Sequence, residues 1–232
     1  ALAGADPVAA LAEGAVGPLA APPGTPYALD ADVAEHRFVV ADGALRPASL
    51  AAGPRVSVDR TRRLFELSPI GDAVGGGDLG AAYDLAALAT AAQLLGCGER
   101  LLADSVAYVK QRRQFGREIG SYQAVKHHLA DVRIALDFAR PLLHGAALAA
   151  AGDRVDAVPA DRGRDVSAAK VACAEAAYRA ARTGLQVHGA IGYTAELDLS
   201  LWLTKVRALV TAWGTPAHHR ARVLAAITNG AA

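Results

Sequence analysis

Methionine is absent from these 232 residues, and cysteine occurs only twice. A chain that does not open on methionine is expected to be processed or partial. Cys97 and Cys173 give no disulfide framework and no ligand set. Both fall in helix-like segments and read as inert packing residues, as in a reducing cytoplasm. Charge of one sign is also missing: 24 Lys+Arg face 23 Asp+Glu. That balance excludes an electrostatic nucleic-acid binder and an acidic tail. No run of 18 apolar residues is free of charge or proline, so no membrane span is expected. The opening Ala1-Leu2-Ala3-Gly4-Ala5-Asp6 has no basic stretch of a signal peptide. A cytoplasmic protein is expected. Aromatics are few, at 5%, although hydrophobic residues make up 53%. Much of that share is alanine, which favours close helix packing over bulk.

Two compositions meet at Gly75-Gly76-Gly77. Residues 1–74 carry prolines and short apolar runs. Arg37–Val40, Arg55–Val58 and Leu64–Leu67 read as strands. Asp42-Gly43 is a hairpin-turn signal, and Pro22-Pro23-Gly24-Thr25-Pro26 a loop. This half is expected to be a small, partial β domain. Residues 75–232 are expected to form an antiparallel helical bundle, so the fold class is mainly α with a small β part. Asp78 to Gln111 is a long helix. Tyr122, Val125, Leu129, Val132 and Leu136 share one face of a second, over 122–140. Ser121 is its expected N-cap, and Pro141 is expected to kink or end it. Gly152 to Gly163 reads as a polar loop. Residues 165–187 and 196–212 give two further helices. Thr215-Pro216 opens a fifth, with threonine capping and proline in the first turn.

Two motifs stand out in the helical half. The first follows Arg112: Arg113-Gln114-Phe115-Gly116, two residues, then Ile119-Gly120-Ser121-Tyr122-Gln123-Ala124-Val125-Lys126-His127. The second is Gln186-Val187-His188-Gly189-Ala190-Ile191-Gly192-Tyr193. It is followed by Trp213-Gly214-Thr215, with Trp213 placed 27 residues after Gln186. Together they resemble the acyl-CoA dehydrogenase family over residues 30–230, most closely from 105 to 215. In that family the place of Trp213 holds a glutamate. It takes the substrate α-proton while FAD accepts a hydride from the β-carbon. Tryptophan cannot abstract a proton from carbon. Some members place the base on the first bundle helix. The matching position here is Ala86, followed by Ala87 where an arginine is usual. Asp84 lies within a turn of it as a substitute carboxylate. Glu196 and Asp198 read as caps of a helix N-terminus. No catalytic residue is expected in this chain.

The resemblance also implies a cofactor set. Arg112 would meet the pyrophosphate or adenine end of FAD, with Gln114 and Phe115 beside it. A guanidinium offers planar, bidentate donors to phosphate oxygens. Gln186, Gly189 and Ala190 would meet the adenosine–pyrophosphate portion, and Thr215 would touch the same cofactor. The family has two glycines where this chain has Gly189-Ala190. Without the resemblance, Arg112 and Arg113 read as solvated charges at a helix end. The family's N-terminal helical domain is missing from the pattern. So are a Thr-Glu-Pro-x-x-Gly-Ser-Asp-like loop and a Trp-Ile-Thr-Asn-like strand at the flavin ring. No isoalloxazine pocket is therefore expected. His127-His128 and His218-His219 give no metal site, because adjacent helical side chains point about 100° apart.

The expectation is a non-catalytic subunit of a heteromeric acyl-CoA dehydrogenase of the actinobacterial α2β2 kind. FAD would be shared with a catalytic partner subunit that binds the acyl-CoA. An electron-transfer acceptor would reoxidise it, and fatty or steroid side-chain thioesters would be the substrates. Two readings stand beside it: a cofactor-free scaffold or regulator descended from a dehydrogenase, and a self-sufficient dehydrogenase with a relocated base.

Overall fold

The computed structural model describes residues 11–74, 77–152, 161–194 and 197–229. The chain divides into two compact units, residues 1–79 and 80–232.

The first unit is a five-stranded sheet of order β1-β3-β4-β5-β2. The strands are β1 (Leu19–Ala20), β2 (Ala28–Leu29), β3 (Phe38–Ala41), β4 (Ala44–Arg55) and β5 (Leu64–Pro69). β1 runs parallel to β3, and the other pairings are antiparallel. Asp42 and Gly43 join β3 to β4 with φ of 51° and 72°, the type I′ geometry the dipeptide signals. Arg55–Val58 is not a strand. Arg55 ends β4, and Val56 is 98% exposed on the way to a turn. There Asp59 Oδ1 accepts from the Thr61 amide at 3.0 Å and its hydroxyl at 2.8 Å. β4 itself escapes sequence reading because Pro47, Gly53 and Pro54 interrupt an alanine-rich run. Small residues, Ala20, Ala28, Ala31 and Ala48, pack around Val39 and Phe65.

The second unit is the helical bundle: α1 (Leu79–Gln111), α2 (Gln123–Ala151), α3 (Arg162–His188), α4 (Leu199–Thr211) and α5 (Pro216–Asn229). Leu94 and Leu101 of α1, Val132 and Leu136 of α2, Cys173 and Ala177 of α3, and Val206 of α4 share one core. Asp161 caps α3, its carboxylate accepting from the Arg164 amide at 2.9 Å. Thr215 caps α5, accepting from the His218 amide at 3.2 Å.

Three helix expectations are corrected. α2 runs through Pro141 to Ala151. Pro141 lies on the exposed side, where water can take the carbonyl its ring deprives of a partner. Ser121 does not cap α2. It sits in a 3-10 turn (Ile119–Ser121), and its hydroxyl donates to the Glu118 carbonyl at 2.7 Å. Asp198 stands at the start of α4 without a side-chain capping bond, and Glu196 lies outside the described residues. α1 and α2 are also long and apolar enough to cross a membrane, by length and composition. Mean hydropathy, which averages over isolated charges, exceeds what uninterrupted runs suggested. Both helices contribute to the bundle core.

Lys170 of α3 is 1% exposed and donates from Nζ to the Leu209 and Val210 carbonyls at 3.1 Å. It thereby satisfies two carbonyls of the last turn of α4. Burial lowers its pKa to about 8, partly offset by Cys173. Burial pushes the Cys173 thiol up to about 12, so it is an unreactive packing group.

Candidate functional site

The motif residues gather at two ends of α1. At its C-terminal end a hairpin leaves the bundle, β6 (Arg113–Gln114) pairing with β7 (Arg117–Glu118). Phe115 and Gly116 form its turn with φ of 52° and 82°. A left-handed phenylalanine is uncommon and disfavoured, and this one is 92% exposed. Arg113 ties the hairpin together, donating to the Gly116 carbonyl at 3.2 Å and lying 3.8 Å from Glu118. Arg117 stacks over the Tyr122 ring at 3.9 Å. Arg112 is exposed, and its guanidinium has no partner among the described residues. Gln114 is exposed, its amide donating to the Arg113 carbonyl at 2.9 Å.

The second motif closes on the same end. Gln186 and the Gly189-Ala190 backbone are exposed at the end of α3 and in a following 3-10 turn (Gly189–Tyr193). Gly189 ends α3 with φ of 64°. His188 is buried between them. Its Nδ1–H donates to the Gly184 carbonyl at 2.7 Å, and its ring stacks on Tyr108 at 4.2 Å. The Tyr108 carbonyl accepts the Arg112 amide. One aromatic stack thus links the root of the hairpin to the end of α3. Sequence reading gave Tyr108 no place, and it gave His188 no role beyond membership of the second motif.

Trp213 and Thr215 belong to the other end. Tyr83, the aromatic neighbour of Trp213 at 6.0 Å, is twenty-five residues before Tyr108 on α1. At 1.5 Å per residue that is about 38 Å away. The indole packs on Ala87, Ala146, Val166 and Ala169. Ala86 is half-buried beside Ala87, and its carbonyl accepts the Thr90 hydroxyl at 2.8 Å. Positions 86 and 213 are thus both apolar, and the second carries an indole. Asp84 is no substitute. Its carboxylate is 3% exposed and holds Arg162 at 3.1 Å and Arg222 at 2.8 Å.

Around Trp213 lies a hydrogen-bonded set that the sequence did not reveal. Tyr83 Oη and His219 Nε2 both donate to the Trp213 carbonyl at 2.8 Å. Nε2 therefore carries the proton, and Nδ1 accepts from the Ser167 hydroxyl at 3.1 Å. Burial lowers the His219 pKa to about 4, against the opposing pull of the Trp213 carbonyl. Burial raises that of Tyr83, which Arg222 partly counters. Both donors are neutral at pH 7.

A small β-sheet unit is followed along the chain by a five-helix bundle that carries an exposed hairpin at the end of its first helix. Residues 80–228 match the acyl-CoA dehydrogenase C-terminal domain, and the chain belongs to the acyl-CoA dehydrogenase family. It is 32% identical to acyl-CoA dehydrogenase IpdE2 of Mycolicibacterium smegmatis over 96% of this chain and 68% of that protein. With IpdE2 of Mycobacterium tuberculosis the identity is 36% over 84% of this chain and 58% of the relative. The chain thus spans about six-tenths of the length of these relatives. A chain of the ChsE4-ChsE5 complex of Mycobacterium tuberculosis superposes with a TM-score of 0.71 and 26% identity, covering 93% of this chain and 64% of that one.

Proposed function

We propose that this chain is a non-catalytic subunit of a heteromeric, FAD-dependent acyl-CoA dehydrogenase. It completes the FAD site of a catalytic partner from across their interface. The observation that carries this reading is the hairpin end of α1. There Arg112, whose guanidinium has no partner among the described residues, comes three residues before a strained, 92% exposed Phe115. Strained, exposed side chains of this kind are features of ligand clamps. The residues fit the diphosphate and adenosine portion of FAD. Arg112 supplies phosphate donors, Gln186 an amide, and Gly189-Ala190 an exposed backbone. Bound FAD would supply the hydride acceptor. The flavin ring, the base and the acyl-CoA belong to the partner, with steroid side-chain thioesters among the substrates the family resemblance suggests.

A second observation supports a helical partner. α2 is apolar on its outward side as well as in the core. Ile134, Phe138 and Leu148 are 53%, 73% and 50% exposed on one face with Pro141 and Gly145. A contiguous exposed apolar stripe marks an interaction surface. An α2β2 assembly would bury it, with an obligate interface on the order of 2,000 Å² or more.

Two outcomes are expected. Purified alone with FAD and a panel of acyl-CoAs, the chain reduces no electron acceptor, and Trp213→Glu does not change that. Turnover by a verified single-chain preparation would refute the subunit reading. In the assembled complex, Arg112→Ala weakens FAD retention by about 2 kcal/mol, the loss of a charge-assisted contact. Flavin content and dissociation rate measure it. Identical values in wild type and variant would reduce Arg112 to a surface charge.

A further inference from the structure

Position 213 is held by its backbone. Two donors take both lone pairs of the Trp213 carbonyl. His219 and Ser167 are each 0% exposed, so water does not compete for the inner part of this set. The turn they hold is disfavoured: φ is 54° at Trp213 and 103° at Gly214. A bulky residue stays in that region only where its surroundings over-determine it. A Cβ on residue 214 would lie 2.4 Å from Tyr83 Oη and 2.6 Å from His219 Nε2. Glycine is therefore required at 214 for both donors to reach the carbonyl.

We propose that Tyr83 and His219 are positioning residues for position 213. They clamp its carbonyl, impose the left-handed turn, and so set the direction in which the side chain at 213 leaves the backbone. Cβ direction follows from backbone dihedrals. The indole lies on Ala87, Ala146, Val166 and Ala169 because the clamp aims it there. Residue 213 supplies the side chain that fills this place, and Tyr83, His219 and Gly214 supply its direction. The inference deepens the reading of Trp213 as standing in the base's place. Its test needs no flavin and no partner, so the clamp and the subunit role fail separately.

Trp202→Phe leaves Trp213 as the one indole, since the chain has two tryptophans. In that background, acrylamide quenching of tryptophan fluorescence reports on residue 213 alone. Tyr83→Phe with His219→Ala is expected to raise quenching about threefold as the local turn opens, with far-UV helicity kept. Gly214→Ala is expected to do the same. His219→Gln places an amide N–H where Nε2–H stood and is expected to restore the protection that His219→Ala loses. Should the double variant fail to fold, Tyr83→Phe alone, which removes one hydroxyl, is expected to give a smaller rise of the same sign. Unchanged quenching in the folded double variant overturns the proposal. If only Tyr83→Phe folds, unchanged quenching there overturns it, as does failure of His219→Gln to restore protection.

Discussion

Asp84→Ala is expected to destabilise the bundle by about 3 kcal/mol or more, within the range for removing one member of a buried ion pair. The carboxylate is 3% exposed, and two guanidinium groups converge on it. Arg162 comes from the first turn of α3 and Arg222 from α5, while Asp84 itself lies near the start of α1. The cluster therefore joins three helices through one carboxylate. Without it, two positive charges face each other across a largely buried gap. Arg222 has little slack to relax, because it lies over the Tyr83 ring at 5.6 Å and its Nη1 is buried with no hydrogen-bond partner among the described residues. The arginine side chains are 37% and 30% exposed. Water reaches them in part, which places the expectation at the low end of the range. Urea denaturation of wild type and variant measures the loss as a midpoint shift at constant slope. Asp84→Asn keeps the volume and one acceptor and is expected to fall between. A loss below about 0.5 kcal/mol would mean that the three charges behave as a surface pair.

That cluster shows how the sequence was readable in part. α1, α3 and α5 are plain from composition, periodicity and the Thr215-Pro216 start, because those signals are local. The Asp42-Gly43 turn is local too, and it sets the register of β3 on β4. β4 was hidden for the opposite reason. Its stability comes from being paired on both sides, with Phe38 opposite Pro47 and Leu50 opposite Leu67. Its own residues have little strand preference. Pro141 misled because the cost of a helical proline depends on which side of the helix it faces. The candidate site divided along the same line. Arg112, Gln114 and Phe115 were legible as a motif, yet only the φ of 52° at Phe115 marks the turn as strained. Tyr83 and His219 carry no motif. Tyr83 lies 130 residues from Trp213, and a tyrosine on a helix face is indistinguishable from packing until the carbonyl it meets is known.

Between pH 6.5 and about pH 4 the bundle is expected to lose about 3 kcal/mol through His219 alone. The unfolded chain accepts a proton at the ordinary histidine value near 6.5. In the fold, burial holds that proton off until about pH 4. Lys170, His218 and Arg222 push the same way, and only the bond to the Trp213 carbonyl opposes them. Across this window the unfolded state binds more protons than the native state. Stability therefore falls as pH falls, and the loss is complete below the native value. The shift of roughly 2.5 units, at 1.36 kcal/mol each, sets the size. Lys170 follows the same rule at the alkaline end. With its native value at about 8 against 10.5, stability is expected to rise with pH through that interval. His219→Gln cannot take up the acid-side proton but keeps a donor for the Trp213 carbonyl. The difference between wild-type and variant urea-stability curves from pH 7 to pH 4 therefore isolates the histidine from the carboxylates that titrate beside it. The wild type should lose about 3 kcal/mol more than the variant over that range. Parallel curves would mean that His219 reaches water when protonated. The clamp on Trp213 would then be open on the side the fold shows closed.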